Sequence, residues 1–190
     1  MKFTDSFFSA AGKSTIREFV ESLVIAGVLA FFIITFVVQS FVVYGQSMEP
    51  TLYNGERLFV NKFIYRFKEP ARGDIIVFRP KGPKNERYVK RVIGIPGDTI
   101  VIEDHKVYVN DEVLDEDYID VAIGRDFGKY VVPEGHVFVL GDNRHPYASS
   151  DSRYQRVGYV DYDSISGKAF VIYWPLNKIE VLKKPKYDFE

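Results

Sequence analysis

Residues 22–44 carry no charged side chain, and their apolar positions run all the way round a helix rather than along one stripe. At about 1.5 Å per residue the run spans roughly 34 Å, against about 30 Å for a hydrocarbon core. It is therefore expected to form one N-terminal transmembrane helix. A buried core helix is one alternative and a cleaved leader another. Leader apolar regions are shorter, about 7–15 residues, and no A-x-A-like site follows here, so an uncleaved anchor is preferred. Ser14 to Phe19 reads as a helix start, with Ser14 as cap and Glu18 near the first turn. Residues 1–21 are read as a tail in the cytosol or along the membrane. Lys2, Lys13 and Arg17 precede the run, while only Arg57 and Lys62 follow it closely. That asymmetry puts the N-terminus in the cytosol and the remainder outside.

Beyond residue 45 the pattern changes to short runs rich in Val, Ile, Tyr and Phe with turn residues between them, which predicts strands. The runs are Arg57–Asn61, Asp74–Arg79, Arg87–Ile93, Thr99–Glu103, Lys106–Val109, Gly128–Val132, His136–Leu140 and Lys168–Trp174. Pro96-Gly97-Asp98 fits a type II turn, with Pro supplying φ and Gly accepting a positive one. Asn110-Asp111 predicts a hairpin. The stretches 81–86 and 141–156 are expected as exposed loops, and 103–120 as a surface hairpin. Residues 45–190 suit one domain by size.

Composition narrows the chemistry. A net charge of −1 gives no case for nucleic-acid binding. The absence of cysteine removes thiol nucleophiles, disulfides and thiolate metal sites. His105, His136 and His145 are scattered, with no metal-ligand spacing, and no metal or cofactor is expected.

Ser47, in Gly45-Gln46-Ser47-Met48-Glu49-Pro50-Thr51-Leu52, stands where the apolar run hands over to the β region. A serine hydroxyl needs a base to become a nucleophile. No triad signature or G-x-S-x-G elbow supplies a histidine. A buried lysine is the other route, because desolvation disfavours the ammonium. Lys90 is the candidate, sharing a strand face with Tyr88 and Val92. The other face, with Val89 and Ile93, is equally apolar, so parity alone leaves open an exposed edge-strand lysine that guards against aggregation. The stretch from Gly141-Asp142-Asn143-Arg144 to Ser149-Ser150-Asp151-Ser152-Arg153 reads either as a turn-rich loop or as a site loop fixed by an Asp–Arg pair.

Taken in order, the anchor, S-M-x-P-T-L, R-G-D-I-I-V-F, K-R-V-I-G-x-P-G-D and G-D-N-R…S-x-D-S-R resemble bacterial type I signal peptidases. Ser47 matches that family's nucleophile and Lys90 its general base. Met48, Pro50, Thr51 and Leu52 fill the first motif, and Arg72-Gly73-Asp74 opens the second. Asp142, Asn143, Ser149, Asp151 and Arg153 match the last. The resemblance implies a mostly β fold: an antiparallel, partly barrel-like β domain behind one transmembrane helix, with a smaller β region inserted at about 98–135. It implies a Ser/Lys dyad working through an acyl-enzyme, Ser149 hydrogen-bonding the lysine amine, and an Asp151–Arg153 salt bridge. Two departures stand out. Two extra residues lie between Arg144 and Asp151, so Ser150 competes with Ser149. Some members carry a hydroxyl two residues before the nucleophile to help the oxyanion, where this chain has Gly45.

The expected partners are signal peptides of secretory preproteins and the lipid bilayer, for a monomeric protein that is single-pass in a bacterial cell membrane with its catalytic domain on the outer face. An extended peptide would pair with an exposed strand edge, walled by Gly45, Gln46, Met48, Tyr88 and Val89. Trp174, Tyr173, Phe59, Phe63, Tyr65 and Phe67 are read as either core or interface aromatics. The rivals are a self-cleaving Ser/Lys repressor-type protease and an inactive anchored β scaffold.

Overall fold

The structure, a computed structural model, describes residues 5–82 and 86–187; inside its first helix the side chains of residues 5–14 and 33–36 fall outside that description. The chain divides into two units, residues 1–38 and 39–190. The first is essentially one helix, α1 (Asp5–Phe36). It starts well before Ser14. Its apolar side chains from Ile16 to Phe32 are solvent-exposed on every side. Among the described residues no helix is long and apolar enough to cross a membrane.

The expected span 22–44 is corrected here. The helix stops at Phe36, and Val38–Val42 forms strand β1. Branched residues stand on both sides of this boundary, Ile33, Ile34 and Thr35 within the helix and Val37, Val38, Val42 and Val43 after it, so the pairing of β1 with β2 rather than propensity sets the change.

The second unit holds β2 (Arg57–Asn61), β3 (Ile75–Phe78), β4 (Tyr88–Gly94), β5 (Thr99–Glu103), β6 (Lys106–Val109), β7 (Glu112–Val113), β8 (Phe127–Val131), β9 (His136–Leu140), β10 (Val160–Asp161), β11 (Ile165–Trp174) and β12 (Glu180–Val181). The main sheet runs β1-β2-β11-β3-β4-β9-β10, with β12 also on β11. The strand pairs with a defined register in this sheet are all antiparallel. A smaller sheet, β7-β6-β5-β8, occupies residues 99–131. The Pro96–Gly97 turn enters it, with Gly97 at φ 86 and Asp98 N–H donating to Ile95 O at 3.0 Å. Asn110 and Asp111, at φ 54 and 68, close the hairpin between β6 and β7 with both central residues left-handed.

Three apolar clusters set the core. Leu58, Val60, Ile75 and Val77 pack with Met48 and Leu52 on one face of the main sheet. Ile76, Phe78, Val92, Val137 and Val139 pack on the other. Ile93, Phe138 and Leu140 bury the inner side of the small sheet, including Ile100, Ile102 and Val107. The second RGD-type motif joins the two sheets. Arg72 donates two bonds of 2.7 Å to Asp98, which also accepts from Asn110 Nδ2 and Ile95 N. Asp74 is held by Lys168 at 2.5 Å and by the Tyr65 hydroxyl at 2.9 Å. Tyr65 is thus tied inward, while Phe67 and Trp174 remain exposed.

Candidate active site

Apolar anchors pin the stretch after β1. Val43 N–H donates to Glu56 O at 2.8 Å, and Gly55 N–H returns to Val43 O at 2.9 Å. Met48 and Leu52 are buried, and Leu52 N–H closes a turn on Met48 O at 2.8 Å. Ser47, half-buried, therefore sits immediately before a buried apolar plug. Gly45 is at φ 86 with its N–H on Asn54 Oδ1, a conformation that a residue carrying a side-chain hydroxyl adopts only with strain. The Ser47 N–H donates to no other group among the described residues.

Lys90 is in the middle of β4, paired with Ile76 of β3, and is 3% exposed. Its Nζ donates to Ser47 Oγ at 2.6 Å and to Val89 O at 2.9 Å. Burial drives its pKa down from 10.5 to about 8, opposed by the charges of Asp151 and then Asp142. The exposed-edge alternative is thereby removed: β9 and the loop after it cover this strand.

The loop after β9, expected to be exposed, is exposed at His145–Tyr147 and Ser150 but buried at Gly141–Arg144, Ser149, Asp151 and Ser152, where its charged side chains are paired. Asp142 does not pair with Arg144. It takes Arg91 in a two-pronged bond (Nε to Oδ1 at 2.9 Å, Nη2 to Oδ2 at 2.6 Å) and accepts from Thr51 Oγ1 at 2.5 Å. Arg144 turns instead to Glu116 and to Gly141 O. Asn143 grips the serine loop directly: its N–H donates to Ser47 O at 3.2 Å and its Nδ2 to Gln46 O at 2.9 Å. Asp151, fully buried, binds Arg153 through two contacts of 2.8 Å.

Ser149 is 4% exposed, and its hydroxyl has no hydrogen-bond partner. The Ser149–Lys90 bond read from the sequence is not made in this structure; the amine uses Val89 O instead. Ser149 nevertheless adjoins the site. A methyl on Gly141 would collide with both Ser149 Oγ and Ser47 O, so only glycine fits there. Ser150 is exposed and lines the cleft. Arg91 is the important residue that the pattern did not single out. It follows Lys90 on the opposite face, equally buried, and its guanidinium lies 3.9 Å over the Tyr118 ring.

A groove of about 800 Å³ leads to Ser47 and Lys90, walled by Ser40–Met48 on one side and Glu86–Val89 on the other. Gly45, Gln46, Met48, Tyr88 and Val89 all line it. β1 is the end strand of the sheet, and β9 pairs with β4 only from Arg91 onward. Tyr88 to Lys90 therefore have a partner on the β3 side alone. Among the described residues no group of His, Asp or Glu converges so as to hold a metal ion.

A family profile described as "Signal peptidase, peptidase S26" matches residues 16–174. The chain is 40% identical over 177 residues to signal peptidase I of Bacillus licheniformis, covering 88% of this chain and 93% of that one. It is 39% identical over 175 residues to a probable signal peptidase I-2 of Synechocystis sp., covering 90% and 78%. It is 38% identical over 181 residues to signal peptidase I P of Bacillus subtilis subsp. natto, covering 90% and 96%.

Proposed function

The chain belongs to the signal peptidase family, peptidase S26, and on that premise we propose that it cleaves signal peptides from exported preproteins with Ser47 as nucleophile and Lys90 as base. The observation that carries this reading is the 2.6 Å contact between Lys90 Nζ and Ser47 Oγ, made by a lysine that burial has shifted toward its neutral form. The neutral amine takes the Ser47 proton as Oγ attacks the scissile carbonyl. A tetrahedral intermediate collapses to an acyl-enzyme, and the protonated amine delivers its proton to the leaving amine. Lys90, neutral again, activates the water that releases the acyl group. The free Ser47 N–H is one donor for the oxyanion. Ser149, with a hydroxyl that has no other partner, turns to the amine when Lys90 changes its hydrogen-bonding role.

The substrate is an extended peptide adding as a strand between β1 and the N-terminal half of β4, where backbone groups lack strand partners. Wall residues Gly45, Gln46, Met48, Tyr88 and Val89 then select small side chains before the scissile bond. Helix α1 holds the enzyme to the bilayer. Its uncharged part, Ser22–Phe36, covers only about 22 Å at 1.5 Å per residue, so the preceding turn, with exposed Ile16, Phe19 and Val20 and the charged Arg17, Glu18 and Glu21, is placed at the membrane interface, where Arg17 binds Glu21 at 2.7 Å. Exposed apolar side chains from Ile16 to Phe32 favour that environment over water. Both enzyme and substrate in one bilayer raise effective concentration.

The test is cleavage of a preprotein by wild type, Ser47→Ala and Lys90→Ala, each in vesicles. Both variants lose cleavage by several orders of magnitude. Wild-type activity in either one rules out the dyad. Recovery of the wild-type chain in the aqueous fraction after vesicle sedimentation rules out the anchor without touching the chemistry.

A further inference from the structure

The last described residues of the chain behave unlike a free tail. After β12, Leu182 N–H donates to Phe170 O at 2.9 Å. Lys184 and Pro185 then cross so close above Gly73 that a methyl there would lie 2.9 Å from each. Two residues on, Tyr187 is 4% exposed and packed in the same cluster as Leu140, Ile93 and Ile123. Its hydroxyl stands 3.4 Å from that of Tyr118, the ring that carries Arg91 at 3.9 Å. Gly73, beneath the crossing, offers its carbonyl to Arg91 Nη1 at 3.2 Å. The tail thus closes the back of the Arg91 compartment from two directions, through Tyr118 and through Gly73. None of residues 182–187 lines the substrate groove.

What Arg91 does with its other prongs gives this closure a consequence. It binds Asp142, which holds Thr51 of the serine loop, and Asn143 beside it holds Gln46 and Ser47. We propose that residues 182–187 form a strap and that Tyr187 is a positioning residue, which through Tyr118 keeps Arg91 on Asp142 and so fixes the nucleophile loop and the electrostatic surroundings of Lys90. This rests on the dyad reading given above.

The groups facing Lys90 can be enumerated. Ser47 faces it from the serine loop, and the Tyr88 ring lies 5.6 Å away on its own strand. Asp142 and Asp151 act on it from the loop after β9, each compensated by an arginine, Arg91 and Arg153. Further out, Arg87 donates to Ser166 and Glu86 pairs with Arg156. Loosening Arg91 leaves Asp142 less compensated, which favours the ammonium of Lys90. Activity then needs a higher pH.

The experiment compares full-length wild type, Tyr187→Ala, Tyr187→Phe and Leu114→Ala for kcat, KM and the pH dependence of kcat. Leu114 is buried in the same cluster, and its backbone N–H donates to Val107 O rather than to the Arg91 network, so its truncation reports packing loss. Tyr187→Ala is expected to keep KM and to move the acid limb of kcat upward by about half to one pH unit, which lowers kcat at neutral pH about three- to tenfold. Tyr187→Phe, which keeps the ring, recovers most of both. An unmoved limb in Tyr187→Ala, or an equal shift in Leu114→Ala, overturns the strap. Persistent cleavage by Lys90→Ala overturns the dyad instead, so the two failures are distinct. If Tyr187→Ala does not fold, Tyr187→Leu, which keeps apolar bulk in the cluster but removes the ring set against Tyr118, must move the limb in the same direction. An unmoved limb there also overturns the strap.

Discussion

Replacing Lys90 with methionine should abolish cleavage and stabilise the fold at neutral pH relative to its effect at high pH. Methionine keeps a long flexible stem and removes the amine. Lys90 is 3% exposed and has its pKa lowered from 10.5 to about 8. A fall of about 2.5 units, at about 1.36 kcal/mol each, disfavours the charged folded form by roughly 3 kcal/mol. Proton counts give the sign. Between about pH 8 and 10.5 the unfolded chain still holds a proton that the folded chain has released, so wild-type stability rises with pH across this window. Below about pH 8 both states are charged, and that contribution is absent. Losing the bonds to Ser47 Oγ and Val89 O costs about 0.5–1.5 kcal/mol each, which displaces the methionine curve without giving it this slope. The measurement is urea unfolding in detergent, followed by the fluorescence of Trp174, the single tryptophan. From pH 7 to 10 wild type should gain about 2–3 kcal/mol more than Lys90→Met. Parallel behaviour of the two proteins would refute a desolvated lysine.

Three further outcomes follow from the same geometry. With Lys90, its pKa lowered to about 8, as the proposed base, wild-type kcat should rise through about pH 8 and level off above it; an acid limb in the carboxylate range would assign the base elsewhere. Ser149→Ala removes a buried hydroxyl without a partner, so the unfolding free energy should hold or rise, by up to about 1–3 kcal/mol, while kcat falls on the order of tenfold or more. A destabilised variant with unchanged kcat contradicts that. Gly141→Ala drives a methyl into Ser47 O and Ser149 Oγ; cleavage should be lost while circular dichroism retains the β signature, and an active alanine variant would mean that the approach is looser than described.

Strand positions were legible wherever a run was short, branched and bounded by turn residues. Thr99–Glu103, Lys106–Val109 and His136–Leu140 fall at the residues read from the pattern. The apolar run at 22–44 misled because absence of charge does not distinguish helix from strand. The Val-rich segment Val38–Val42 joined the sheet, where β2 offers pairing that no local propensity encodes. At the site, Ser47 and Lys90 were found through motif order, since strand parity could not bury Lys90. The Asp151–Arg153 pair was legible because its members are neighbours in the loop, whereas the partner of Asp142 was not. A loop sequence suggests neighbours such as Arg144, whereas antiparallel pairing of Arg91 with Leu140 carries a strand arginine to within reach of the carboxylate two residues later. Tyr187 was invisible for the same reason: nothing local marks a terminal tyrosine as core.

Lys90 and Arg91 are successive cations on opposite faces of β4, both almost fully buried, yet they meet opposite electrostatic fates. Arg91 has a carboxylate at 2.6 Å and keeps its charge. Lys90 makes hydrogen bonds only to a hydroxyl and a carbonyl, neither of which carries the negative charge needed to hold an ammonium in a desolvated position. Two acids do lie close enough to act on it, Asp151 and then Asp142, and both favour the ammonium. Each is bound in two-pronged fashion by its own arginine, Asp142 by Arg91 and Asp151 by Arg153. A planar guanidinium matches both carboxylate oxygens, a geometry that a lysine cannot supply. The arginines therefore do more than brace the loops. By binding both acids they let burial outweigh the pull that Asp151 and Asp142 still exert on Lys90, and a lysine so lowered suits the base role proposed for it.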